Sequence, residues 1–207
     1  MSPQAEGGQV VHDSAAPAAI LFVCTGNVCR SPLMERLLVA RLDDSLGAGV
    51  RSGRIAVTSA GTAALVGQPM TPEAARELIR LGGDPAGFVA RRLTTALVER
   101  ADLVVTATRA HRAEVVTLSP RANRYTFTLL ELARLLRDVS SSSLPGDARS
   151  RTQGLAAAAA ARRGLRPPVP AGADDVTDPY GRGPIAYRQA SDQLAPPVDA
   201  LAAAILG

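Results

Sequence analysis

The sequence predicts a single α/β domain: a four-stranded, parallel, twisted sheet with helices on both faces. Three observations predict it. Short apolar runs at 18–23, 54–58, 103–106 and 125–127 alternate with longer segments of helical period. The segments between successive runs are long enough for helical crossovers, which join parallel neighbours. Finally, 207 residues, 46% of them hydrophobic, suffice for one sizeable core.

Residues 1–17 read as a mobile tail with a solvated His12, and the folded domain as 18–207. The first run leads into VCTGNVCRSP at 23–32, after which Leu33, Leu37, Leu38 and Leu42 recur on one helix face to about Leu46. Gly47, Gly49 and Gly53 mark a loop. The second strand ends in Ser59-Ala60-Gly61-Thr62. Thr71 as cap and Pro72 at the first position open a helix to Leu81, stopped by Gly82-Gly83. A short helix spans 94–100, preceded by Arg91 and Arg92, which read as a solvated face, with anion binding as the other reading. The third strand leads to a helix over 110–118, with His111 at its start in a structural role. The fourth strand precedes a helix over 129–136.

Residues 137–173 differ in character. Ser140–Ser143, Pro145-Gly146 and Pro167-Pro168-Val169-Pro170 are loop-like. Between them Ser150-Arg151-Thr152-Gln153 has the form of a capping box and Gly164 of a stop. One helix between flexible arms is expected there, as a lid, a docking surface or an inert Ala-rich expansion. A last helix starts at Pro184. Leu194, Val198, Leu201 and Ile205 give it an apolar stripe, and Pro196-Pro197 should kink or split it.

The chemistry gathers at 24–32. A strand, a tight loop and a helix N-terminus make an anion site, because main-chain N–H groups converge there and the helix dipole favours negative charge. Gly26 permits close approach or positive φ, Asn27 tolerates a left-handed conformation, and Pro32 fits the first turn. A cysteine in that setting, beside a guanidinium, is favoured as thiolate. Cys24 is therefore the candidate nucleophile, and Arg30 the fork that holds two phosphoryl oxygens. Ser31 is placed to donate to the sulfur. Cysteine-based phosphoryl transfer is the reaction class implied.

Composition excludes several alternatives. All 23 basic residues are Arg and the net charge is +4, consistent with an anionic substrate. No basic block is interleaved with aromatics, so nucleic acid is not an expected partner. No apolar run spans a bilayer, so no membrane association is expected. Cys24 and Cys29, with the distant His12 and His111, give neither a disulfide framework nor metal-ligand spacing. No metal and no cofactor are expected, and a reduced, cytoplasmic setting fits.

VCTGNVCRSP followed by Glu35 resembles the signature of low-molecular-weight protein tyrosine phosphatases. Ser59-Ala60-Gly61-Thr62, Ala90-Arg91-Arg92-Leu93, Ala101-Asp102-Leu103-Val104-Val105 and Asp178-Pro179-Tyr180 fall in that family's order, over roughly 18–136 and 174–206. The resemblance implies that Cys24 attacks phosphotyrosine while Asp178 serves as general acid and then base. It implies substrate contacts from Thr25, Gly26, Asn27, Val28, Cys29, Ser31, Leu65 and Tyr180. It places Ser59–Thr62 beside the phosphate loop, where an ordinary strand-to-loop turn is the other reading. It also implies reversible protection of Cys24 by Cys29, for which a plain packing role is the alternative. Asp174 and Asp175 rival Asp178 but read as turn or capping residues. The implied partners are a tyrosine-phosphorylated protein and a cognate tyrosine kinase. One departure concerns the entrance: where the family often has an aromatic, Ala63-Ala64-Leu65-Val66 stands, leaving Tyr180 as the ring for stacking. Two other functions fit the same loop: an arsenate reductase using an external thiol, and a phosphoprotein-binding module without turnover.

Overall fold

In the computed structural model, which describes residues 16–46, 53–140, 143–167 and 169–207, β1 (Ala18–Cys24), β2 (Ile55–Gly61), β3 (Leu103–Thr106) and β4 (Thr126–Thr128) form one sheet. All pairings are parallel and the order is β2-β1-β3-β4. Most of the expected tail, His12 included, lies outside the described residues, as do most of the glycine loop after residue 46 and residues 141, 142 and 168.

Strand alternation sorts two cores. Ile20 and Phe22 of β1 join Ile55, Val57, Leu103, Val105 and Phe127 on one face. That face is covered by α1 (Arg30–Leu46), α2 (Pro72–Arg80), α5 (Leu129–Leu136), α6 (Ala148–Arg163) and α7 (Pro184–Leu206). Leu21, Val23 and Val104 point the other way, against Val98 of α3 (Thr95–Arg100) and Val115 of α4 (Arg109–Leu118). Both faces of a parallel sheet are thus buried. β2 lies on one side of β1 and β3 on the other, so the crevice where the strand order reverses opens at the carboxyl end of β1.

Local signals fixed several helix starts. Thr71 caps α2 with Pro at its start, and Thr128 and Glu131 form a reciprocal capping box on α5. Two expectations need correction. α6 starts earlier than the Ser150 pattern suggests, because Asp147 Oδ1 accepts the Ser150 N–H at 2.9 Å and takes the cap. Gln153 instead donates to Asp102 at 2.7 Å, and Asp102 also accepts the Ala19 N–H at 2.9 Å, tying α6 to the start of β1. With Leu155, Ala156 and Ala159 buried, α6 is core rather than lid or inert expansion. α7 also departs from expectation, running unbroken through Pro196 and Pro197. An interior proline costs about 3 kcal/mol, whereas the buried Leu194, Val198, Leu201 and Ile205 each contribute about 1.5–3 kcal/mol. Burial wins, and Pro196 sits on the exposed side. Among the described residues no helix is long and apolar enough to cross a membrane.

Leu155→Ala should therefore destabilise the domain by about 2–5 kcal/mol in denaturant unfolding. A change below ~1 kcal/mol would remove α6 from the core.

Candidate active site

β1 ends at Cys24 and α1 begins at Arg30, leaving residues 25–29 as the loop between them. Its shape is set by where its carbonyls go. Those of Cys24, Thr25, Gly26 and Val28 accept from the N–H groups of Thr62, Ala63, Leu65 and Thr71 at 2.9–3.0 Å. With the carbonyls engaged there, the loop's own N–H groups are left available at the start of α1. Ser59–Thr62 is therefore a buttress of the loop, not an ordinary turn. Gly61 is required there, since a Cβ would stand 2.4 Å from the Thr25 carbonyl oxygen.

Positive φ falls on Asn27, at 56°, and not on Gly26. Asn27 is buried, and its side chain secures the turn. Oδ1 accepts the Arg91 N–H at 2.9 Å, which fixes the amide's orientation because a main-chain N–H only donates. Nδ2 then donates to Ser31 Oγ at 2.9 Å and to Ser59 Oγ at 2.7 Å. Ser31 Oγ, already accepting, has its proton free for Cys24 Sγ at 3.0 Å. Ser59 in turn donates its hydroxyl to Glu35 Oε2 at 2.5 Å. Burial is the main cause that raises the Glu35 carboxyl above its ordinary value, with the Ser59 bond opposing it.

A cavity of about 200 Å³ opens above Cys24. Of the residues singled out in the sequence, Cys24, Thr25, Gly26, Val28, Cys29, Arg30, Leu65, Asp178 and Tyr180 line it, together with Ala63. Asn27 and Ser31 lie behind the loop and act on its shape and on the sulfur. Arg30 is buried; Nη1 donates to the Val176 carbonyl at 3.1 Å and Nη2 meets Asp178 Oδ2 at 2.7 Å. Its Nε is buried with no partner. Asp178 is 48% exposed and Tyr180 57%, both at the rim. The structure does not join Cys29 to Cys24, and both thiols are free. Cys29 Sγ lies 3.5 Å from Thr71 Oγ1 and from the Tyr187 hydroxyl, and burial pushes its thiol up.

Asp174 and Asp175 stand apart from the cavity. Asp174 is buried between Arg109 and Arg134, and Asp175 Oδ1 accepts the Arg109 N–H at 2.7 Å, at the start of α4. The reading of Arg91 is corrected, and His111 gains its partners in a structural role. Arg91 is not a solvated face: its N–H holds Asn27, and Nε donates to the Ser59 carbonyl at 2.8 Å. Arg92 is exposed. His111 is buried with Nε2 2.8 Å from Thr25 Oγ1 and Nδ1 2.7 Å from Thr108 Oγ1. Burial first, and then the Arg30 charge, lower its pKa to about 4. The available signal was its place just past β3, the strand beside β1.

Residues 19–139 match the sequence profile of the low molecular weight phosphotyrosine protein phosphatases. The chain belongs to that family. This phosphatase is 35% identical over 113 residues to the probable low molecular weight protein-tyrosine-phosphatase EpsP of Ralstonia nicotianae, covering 55% of this chain and 71% of the relative. It is 38% identical over 102 residues to the phosphatase Etp of Escherichia coli, covering 49% and 62%. Among solved structures, the low molecular weight protein tyrosine phosphatase from T. tengcongensis superposes with a TM-score of 0.62 at 27% identity, covering 89% of this chain and 97% of that one. The YwlE arginine phosphatase from Geobacillus stearothermophilus gives 0.60 at 28% identity, covering 90% and 92%.

Between about pH 6.5 and 4 the unfolded chain binds a proton at His111 that the folded phosphatase refuses. Stability contributed by the neutral ring is therefore full above that window and falls as pH drops through it. Unfolding midpoints measured at pH 7 and pH 4.5 should fall less for His111→Gln than for the native chain. Equal falls would contradict the assignment.

Proposed function

We propose that this phosphatase hydrolyses aryl phosphate monoesters, phosphotyrosine in proteins foremost, through a cysteinyl-phosphate intermediate. The observation that carries the reading is Cys24 Sγ, 3.0 Å from the Ser31 hydroxyl, on the floor of a cavity whose rim holds the Arg30–Asp178 pair.

The phosphoryl group enters with its oxygens toward the loop N–H groups and the orphan Nε of Arg30. Arg30 then binds the anion bidentately, which loosens its pairing with Asp178 and lets that side chain turn to the leaving oxygen. The Cys24 thiolate attacks phosphorus, the P–O bond to the aryl group breaks, and Asp178, having taken up the proton of the phosphate monoanion on leaving Arg30, supplies it to that oxygen. In the second step Asp178 takes a proton from water and the water oxygen attacks phosphorus. The S–P bond breaks with its electrons on sulfur, and the Ser31 hydroxyl stabilises the thiolate.

The cavity wall favours a ring. Val28, Ala63 and Leu65 present apolar surface, and Tyr180 offers an aromatic face for offset stacking. Phosphoarginine, the substrate named for the YwlE enzymes, would bring a guanidinium to that wall. Among the described residues lining the cavity the one carboxylate is Asp178, already paired with Arg30. A tyrosine-phosphorylated protein and the tyrosine kinase that makes it are thus the proposed partners. A reducing compartment such as the cytoplasm keeps Cys24 and Cys29 as free thiols.

Para-nitrophenyl phosphate should be hydrolysed without added metal. Cys24→Ser should abolish turnover, and Asp178→Asn should slow it by about 10²–10⁴-fold. Phosphate binding by the native chain without hydrolysis would favour a recognition module instead.

A further inference from the structure

Between α4, α5 and the end of α6 lies a second cavity, of about 300 Å³, that shares no lining residue with the one at Cys24. Five arginines face it, Arg109, Arg112, Arg134, Arg163 and Arg166, against two carboxylates, Glu131 and Asp174. Most of this charge is partnered. Asp174 meets Arg109 and Arg134 at 3.0 Å each, Glu131 meets Arg163 at 2.8 Å, and Arg166 pairs with Asp138 outside the cavity.

Arg112 differs. Its Nε donates to the Thr126 carbonyl at 3.1 Å and its Nη2 to Asn123 Oδ1 at 2.5 Å. Among the described residues no carboxylate pairs with it. Arg163 Nη2 donates to the same Thr126 carbonyl at 2.8 Å, so two guanidiniums crowd one neutral oxygen. Burial, and then the Arg163 charge, push Arg112 below the usual arginine range. The arrangement is stable yet electrostatically incomplete, and a negative group placed between these forks would complete it.

We propose that this basin binds a small phosphoryl anion of the diphosphate class, with Arg112, Arg163 and Arg166 as the principal donors. Planar guanidiniums match phosphoryl oxygens two at a time. Forks arriving from α4 and from the end of α6 suit a tetrahedral group better than a flat carboxylate, which Glu131 and Asp174 already supply. The volume admits a diphosphate and not a folded segment. This site is independent of the chemistry at Cys24.

Pyrophosphate titrated by calorimetry into the native chain at low salt should bind as two equivalents. Arg30→Met should remove one of them, the equivalent at the loop. Arg112→Gln with Arg166→Gln should weaken the other at least tenfold while hydrolysis of para-nitrophenyl phosphate persists. A single native equivalent that vanishes with Arg30→Met, or two undiminished equivalents in the Arg112/Arg166 variant, would overturn the proposal. Should Arg112→Gln fail to fold, Arg166→Gln alone, on a partly exposed side chain, carries the same expectation. Loss of turnover in Cys24→Ser with the basin equivalent intact would separate the two sites.

Discussion

A ring of main-chain N–H groups can face one hollow only if the carbonyls of the same peptides find partners outside it. A buried carbonyl left unpaired costs about 1–3 kcal/mol, so four of them would consume a large part of a domain's stability. Here the bonds from Thr62, Ala63, Leu65 and Thr71 satisfy those carbonyls. The amide of Asn27 then locks the turn from behind by engaging Ser31, Ser59 and Arg91. Everything said of Cys24 depends on that arrangement. It orients Ser31, and through Ser31 it delivers a hydrogen bond to sulfur.

Charge in the site is balanced within the chain itself. Arg30 is buried, and an unpaired buried guanidinium would cost several kcal/mol. Asp178 and the Val176 carbonyl offset that cost, while Nε is left without a partner. Neighbouring His111 is held neutral by burial and by Arg30, so it supports Thr25 without adding a second positive charge against the guanidinium. The oxyanion of the proposed substrate would meet one fixed cation, one orphan donor and a loop of amides.

Much of the fold was legible in the sequence because its signals are local. Strand runs and helical periods rest on near neighbours, and Thr71-Pro72 marked its helix start by composition alone. The loop was legible for the same reason: its strand, turn residues and helix are contiguous. The misreadings share an origin too. Arg91 was read as surface because its partner, Asn27, lies 64 residues away; His111 keeps the structural role read for it, through a bond to Thr25 86 residues away. The unbroken α7 reflects packing against α1, α2 and α5, which local proline rules do not contain. α6 looked like an expansion because alanine repeats carry little pattern, whereas its attachment to Asp102 is a long-range bond.

The first loop and the segment that enters the last helix meet across most of the chain. Arg30 binds a carbonyl 146 residues further along the chain, and Cys29 packs on a tyrosine 158 residues away. During synthesis the N-terminal loop therefore leaves the ribosome long before the groups that finish it. A stalled translation product would lack the groups that anchor Arg30 and pack on Cys29. Those contacts can form only once Val176 to Tyr187 have emerged.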